Sequence, residues 1–120
     1  MTTHHAAGMA GESRCEAYLC GRGMTTLARR FRGADGEIDL IMEDGGTVVF
    51  VEVKARPGGA RGSGLLAVTP AKQRRIAHAA MTFLMQREWT ERSVRFDVVE
   101  LTAAGILHVP NAFQTGAWIG

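Results

Sequence analysis

Residues 36–54 read GEIDLIMEDGGTVVFVEVK, and this stretch decides the fold. Glu37–Met42 alternates acidic and apolar side chains, the two-residue period of a strand with one buried face. Thr47–Val53 is rich in β-branched residues and apolar on both faces, which predicts a central strand. The Asp44-Gly45 pair between them favours a tight turn because it readily adopts left-handed backbone conformations. We therefore predict an antiparallel hairpin.

Two helices and three further strands flank this hairpin. They are, in chain order, a helix over Gly11–Gly21, a strand over Met24–Phe31, a helix from Pro70 to about Glu88, and strands over Val94–Leu101 and Ile106–Val109. Thr69 is the N-cap of the second helix, and Ala55–Val68 is a glycine-rich loop. The order α-β-β-β-α-β-β predicts an α/β domain with a mixed β-sheet flanked by helices. We expect a disordered leader over residues 1–7 and one domain over residues 8–120.

The composition is that of an ordinary globular domain. The chain has 120 residues, of which 46% are hydrophobic and 22% are charged, and this excludes a disordered tail, a coiled coil and a collagen-like chain. The apolar runs are too short to cross a bilayer, and the N-terminus lacks the pattern of a signal peptide. Cys15 and Cys20 fit neither a zinc site nor a disulfide framework. We expect a cytoplasmic protein with reduced thiols and no membrane partner.

The net charge of +2 conceals an uneven distribution. Residues 53–87 contain seven basic residues and no acidic one, whereas the rest of the chain is acidic on balance. A block of one sign is typical of a protein that binds a polyanion, although a solvated helix face paired elsewhere on the fold is an equal alternative. The candidate DNA contacts in this block are Arg56, Arg61, Lys72, Arg74 and Arg75.

Asp39, Glu52 and Lys54 are predicted to lie together. Because the hairpin turn is short, Asp39 and Glu52 fall at nearly the same level of neighbouring strands, and Glu52 and Lys54 share a face. Two carboxylates on a mainly apolar sheet need a cation, hydrogen-bond donors or a proton. Mg²⁺ suits such a pair, since it takes one or two carboxylates and completes its shell with water and phosphate oxygens. A buried salt bridge without chemistry is the alternative.

The joined motifs carry a family resemblance. They are GEIDLI at 36–41, FVEVK at 50–54, VTP and KQRR within 68–75, RFDVV at 95–99, and Gly8, Gly11-Glu12, Tyr18-Leu19 and Gly23 at the first helix. Together they resemble the YraN-like uncharacterised bacterial family over roughly residues 8–113. That family is similar to the restriction-endonuclease-like, PD-(D/E)xK, superfamily and to archaeal Holliday-junction resolvases. Their signature is an Asp, then Glu-x-Lys on the following strand, often with a Glu on the first helix.

The resemblance implies a restriction-endonuclease-like core and a set of roles. Asp39 and Glu52 would bind Mg²⁺ or Mn²⁺, Lys54 would be the catalytic lysine, and Glu12 would be the first-helix Glu that joins the metal site. Gln73 would be a polar residue of the second helix that faces the site.

One candidate residue would support the metal ligands, and two residues depart from the pattern of the family or superfamily. Glu37, one strand period from Asp39, is a candidate for positioning it, or else a solvated edge carboxylate. Ile38 stands where the superfamily name has Pro. Arg30 stands where the family usually has Asn, at a position expected to touch no proposed ligand.

The predicted activity is hydrolysis of DNA phosphodiester bonds. Since no recognition helix, zinc finger or further domain is available to read bases, we expect a structure-selective or non-specific nuclease, for which branched or junction DNA is a candidate substrate. A nucleic-acid-binding domain without catalysis and a plain α/β domain with a buried ion network are the alternatives. A homodimer is compatible with the sequence. His78 and His108 are not at metal-ligand spacing and are expected on the surface or in a helix.

Overall fold

The structure, a computed structural model, describes residues 3–55 and 68–114, with side chains from residue 10 onward. Its elements are α1 (Thr3–Gly21), β1 (Thr25–Arg32), β2 (Glu37–Asp44), β3 (Thr47–Ala55), α2 (Pro70–Arg87), β4 (Ser93–Thr102) and β5 (Gly105–Phe113). The predicted order α-β-β-β-α-β-β is confirmed. Within these two ranges, no helix has the length and apolar character needed to span a membrane.

The five strands form one mixed sheet in the order β1-β2-β3-β4-β5. β3 pairs in parallel with β4, and every other neighbouring pair is antiparallel. The predicted hairpin and the central place of β3 are confirmed. The β2–β3 register pairs Asp44 with Thr47 and Leu40 with Val51, and its continuation places Asp39 opposite Glu52.

α1 and α2 cover opposite faces of the sheet. Val48 and Phe50 of β3 belong to the hydrophobic cluster that contains the buried side chains of α2. Val49 and Val51, which point the other way, belong to the cluster that contains Cys15 of α1. A strand buried on both faces explains the near-continuous apolar run of β3. The result is a three-layer arrangement of helix, sheet and helix.

α2 lies against the turn between β1 and β2 because two glycines leave room for it. A Cβ atom at Gly33 would lie 2.6 Å from the Cα atom of Ala79, and one at Gly36 would lie 3.3 Å from the Cβ atom of Arg75. The helix begins as predicted, since the Thr69 hydroxyl accepts a hydrogen bond from a backbone N–H of the first turn. These contacts bring the first turns of α2 to the end of the hairpin that carries the acidic residues.

Two expectations from the sequence concern the start of α1 and the loop after β3. α1 begins at Thr3 rather than at Gly11, so residues 3–7 are helical where the sequence predicted a disordered leader. Alanines at positions 6, 7 and 10 favour the helix strongly, and no proline interrupts it. The predicted loop over Ala55–Val68 falls largely on residues 56–67, which lie outside the described residues.

Candidate active site

Asp39 lies where β2 and β3 cease to pair through their backbones. The paired register ends at Leu40 and Val51, and the next backbone donor, the N–H of Val53, donates to Asp39 Oδ2 at 2.8 Å. The side-chain oxygens of Asp39 and Glu52 lie within hydrogen-bonding reach of each other. The structure therefore brings together the two carboxylates that the sequence predicted to meet.

This carboxylate pair is electrostatically costly. Burial raises the pKa of Asp39 to about 8, and the negative charges of Glu52 and, more weakly, Glu12 act in the same direction. The hydrogen bond from the Val53 N–H opposes the shift but does not cancel it. Near neutral pH the pair therefore holds a proton unless a cation takes the place of that proton.

Lys54 flanks the carboxylates on the same strand. Its Nζ atom lies 3.0 Å from Glu52 Oε2, and each of these side chains is only 13% exposed. Burial lowers the pKa of Lys54. A hydrogen bond with the Lys72 side chain and the negative charges of Glu52 and Asp39 outweigh burial and raise the pKa above its ordinary value. Lys72, on the first turn of α2, has a lowered pKa because it lies against the Lys54 ammonium. Lys54 is thus the cation nearest the carboxylate pair among the described residues.

Glu12 enters the site from α1 but is already paired. Its Oε1 atom lies 3.0 Å from Arg30 Nε. Burial raises the pKa of Glu12, Arg30 opposes this, and the charges of Glu37 and Glu52 add to the rise. The expectation that Arg30 touches no proposed ligand is therefore wrong, because adjacent elements bring it onto Glu12.

The described parts of the chain contain no group of three or more His, Cys, Asp or Glu residues placed to hold a metal ion. Glu12 as a third metal ligand stays a prediction that this geometry does not reproduce. The donor set is the Asp39–Glu52 pair. Two carboxylates in contact, with one lysine beside them, fit Mg²⁺, which accepts one or two carboxylates and retains open positions for water and phosphate oxygens.

Glu37 and Gln73 do not contact the carboxylate pair through any observed hydrogen bond. Glu37 is exposed and lies 3.9 Å from Arg32. Gln73 Nε2 donates to the carbonyl oxygen of Val68 at 3.0 Å, which fixes the chain as it enters α2. Their proposed supporting roles stay predictions.

A cationic surface borders the site at the start of α2. We call the exposed side of its first two turns the basic helix face, with Lys72 at the edge near Lys54 and with Arg74 and Arg75 further around the helix. The two arginines are exposed, and Lys72 reaches Lys54. Arg56 and Arg61, the other predicted DNA contacts, lie outside the described residues.

Asp97 on β4 is a fully buried carboxylate whose role was not recognised from the sequence. It accepts hydrogen bonds from Arg95 Nε at 2.9 Å, His108 Nε2 at 2.7 Å and the backbone N–H of Asn111 at 2.9 Å. Burial alone would raise the pKa of Asp97, but these bonds hold it below its ordinary value. The expectation that His108 lies on the surface or in a helix is wrong: it lies on β5, and its side chain is 8% exposed.

Comparison with known proteins places these residues within a family. The sequence model of Uncharacterised protein family UPF0102 matches residues 11–101. A UPF0102 protein of Geobacter metallireducens is 44% identical over 95% of this chain and 98% of its own length. Another, from Alkalilimnicola ehrlichii, is 50% identical over 80% of this chain and 77% of its own. Among solved structures, Pyrococcus furiosus SfsA in complex with Ca²⁺ aligns with a TM-score of 0.38 and 14% identity, over 93% of this chain and 65% of that one.

Proposed function

The chain belongs to uncharacterised protein family UPF0102, and we propose that it is a metal-dependent nuclease that hydrolyses DNA phosphodiester bonds. The observation that carries this proposal is the contact between Asp39 and Glu52 beside Lys54. A carboxylate with a raised pKa, Asp39, that lies against a second carboxylate and an adjacent cation at the end of a hairpin is a strong candidate for a functional site. The resemblance of the same three residues to the Asp and Glu-x-Lys signature of restriction-endonuclease-like enzymes supports this assignment.

Asp39 and Glu52 would hold Mg²⁺ or Mn²⁺. When bound, the metal would polarise a non-bridging phosphate oxygen and offset the charge that develops during attack by water. In the reaction a bond forms between the water oxygen and phosphorus, and the bond from phosphorus to the leaving oxygen breaks. The attacking water gives up a proton to solvent, and the leaving oxygen takes one up. Lys54, held as an ammonium by Glu52, would donate a hydrogen bond to a phosphate oxygen and stabilise this charge.

The basic helix face would position the DNA backbone. It adjoins Lys54 through Lys72, so a strand bound there would pass the carboxylate pair. Contacts from lysine and arginine to phosphates give affinity without reading bases. We therefore propose a structure-selective or non-specific enzyme, for which branched DNA is one candidate substrate. Two sites would allow a coordinated cut in two strands of a junction, so we further propose a homodimer, which light scattering with and without junction DNA would detect.

The cytoplasm is the proposed location. Both cysteines are free thiols, Cys15 buried and Cys20 exposed, and an exposed free thiol suits a reducing compartment.

The test is a cleavage assay with three variants. Wild type, Glu52→Gln, Lys54→Met and the exposed control Glu91→Gln are incubated with millimolar Mg²⁺ or Mn²⁺ and labelled duplex, flapped, four-way and single-stranded DNA. We expect metal-dependent products from wild type and Glu91→Gln only. Lys54→Met should retain most of its DNA binding, because it loses one cation of several.

Two outcomes would contradict this proposal. Salt-sensitive binding of DNA with no cleavage of any substrate would favour a binding domain that keeps the fold without the chemistry. Neither binding nor cleavage would favour an α/β domain whose Glu52–Lys54 ion pair is purely structural.

A further inference from the structure

Two consecutive arginines of β1 contact the same helix. Arg29 forms two hydrogen bonds with Glu16, of 2.8 and 2.7 Å. Arg30 pairs with Glu12 at 3.0 Å. Glu12 and Glu16 are four residues apart and therefore share a face of α1. Successive residues of a regular strand point to opposite faces of the sheet, so one of the two arginines must depart from regular strand geometry.

The departure is at Arg30. Its φ of 48° lies in the left-handed region, which is uncommon and strained for residues other than glycine and asparagine. This conformation accounts for the placement of Arg30 on the side of α1. The strained backbone at Arg30 serves a single ion pair. This indicates that the pairing of Arg30 with Glu12 has a specific function.

Glu12 lies next to the end of the strand that carries the candidate site. Its neighbour Gly11 packs there closely enough that an added Cβ atom would lie 3.5 Å from the Cβ atom of Ala55, the residue after Lys54. The charge of Glu12 acts on Asp39, and the charge of Glu52 acts on Glu12. Glu12 is therefore close to the carboxylate pair, while Arg30 holds its oxygens.

We propose that Arg30 is an internal counter-cation that keeps Glu12 out of the metal site. The metal is then held by Asp39 and Glu52 alone, and removal of Arg30 releases Glu12 as a third carboxylate ligand. This inference rests on the proposed metal binding at Asp39 and Glu52. Arg30 is thus a residue that sets the strength of metal binding without touching substrate.

The test measures Mn²⁺ affinity by calorimetry and by electron paramagnetic resonance. Arg30→Asn removes the guanidinium and introduces a residue that tolerates the left-handed backbone. Arg30→Gly also removes the guanidinium, and glycine adopts this backbone conformation without strain. Each should bind Mn²⁺ at least about tenfold more tightly than wild type, because affinity for a hard cation rises with the number of carboxylate ligands. Arg30→Lys, which keeps the charge, should bind about as wild type does.

Glu12→Gln separates this effect from a general change in charge. Alone it should alter Mn²⁺ affinity less than about twofold, and combined with Arg30→Asn it should abolish the gain. Unchanged or weaker binding in both Arg30→Asn and Arg30→Gly would overturn the inference, as would a large loss of affinity in Glu12→Gln alone. These results leave metal binding by wild type intact, whereas absence of Mn²⁺ binding in wild type and both Arg30 variants would overturn the proposed function as well.

Discussion

Replacement of Asp39 by Asn should stabilise the metal-free protein at alkaline pH. Asparagine matches the size of a protonated aspartate and cannot become charged, so it removes the repulsion from Glu52. The pKa of Asp39 is raised from 3.8 to about 8 in the folded protein, so the folded state retains its proton to higher pH than the unfolded state does. The resulting stabilisation is present in full below the unfolded pKa and is lost as the pH rises through 8.

The size of this pH-dependent stabilisation follows from the difference between the folded and unfolded pKa values of Asp39. Each pH unit between the two pKa values removes about 1.4 kcal/mol of stability. The loss per unit halves near the folded pKa, so from about pH 6 to about pH 8 the wild type loses roughly 2 kcal/mol through this residue, while Asp39→Asn loses none of it. For a domain of this size that difference corresponds to about 10 °C in melting temperature.

Thermal melting from about pH 6 to about pH 9 in the presence of a chelator measures this difference. Glu91→Gln, which removes an exposed carboxylate, is the control for the loss of one negative charge. Addition of millimolar Mg²⁺ at the alkaline end should restore the wild type and leave Asp39→Asn unchanged, because the metal replaces the proton only where both carboxylates are present. Parallel pH profiles for the wild type and Asp39→Asn would refute the reasoning.

Three further changes test the packing, the structural carboxylate and the cationic surface. Gly33→Ala should lower the free energy of unfolding by about 1–3 kcal/mol in urea, because its methyl group would lie 2.6 Å from Ala79 Cα, whereas Gly46→Ala, with nothing within 4 Å, should not. Asp97→Asn should cost about 2–3 kcal/mol in the same measurement, since it removes the buried negative charge that accepts hydrogen bonds from Arg95, His108 and Asn111, while Arg95 keeps its ion pair with Asp44; a loss below about 1 kcal/mol would contradict this account. Alanine substitutions across the basic helix face should weaken the binding of all DNA sequences about equally and reduce the salt slope by about one unit for each lost phosphate contact. An unchanged slope in fluorescence anisotropy would show that DNA is not bound on this face.

The hairpin and its carboxylates could be predicted because their determinants are local. A short turn with Gly45 in a left-handed conformation at φ 63° sets the register, and the period of two then places every side chain of the pair. Asp39 and Glu52 meet for this reason alone. The start of the second helix could also be predicted, because Thr69 and Pro70 mark it.

The partners of Glu12 and Asp97 depend on irregular backbone that the sequence does not mark. Arg30 reaches Glu12 through a left-handed conformation at a residue that is neither glycine nor asparagine. The β4–β5 register shifts between Phe96 and Val98, at Asp97 itself. Such a bulge redirects side chains, so strand alternation could not predict that His108 and Asp97 would meet.

The buried Asp97 and the half-buried Asp39 show how the fold treats a structural carboxylate and a candidate functional one. Asp97 receives donors on both oxygens, from Arg95, His108 and a backbone N–H, and its pKa is lowered. Asp39 receives one backbone N–H and faces the negative charge of Glu52, and its pKa is raised to about 8. The same chain therefore compensates one buried carboxylate fully and leaves the other short of positive charge. If Lys54 served only to neutralise its surroundings, the Asp39–Glu52 pair would resemble Asp97. A site that lacks one positive charge, at the point where the hairpin strands part, is what a divalent cation requires.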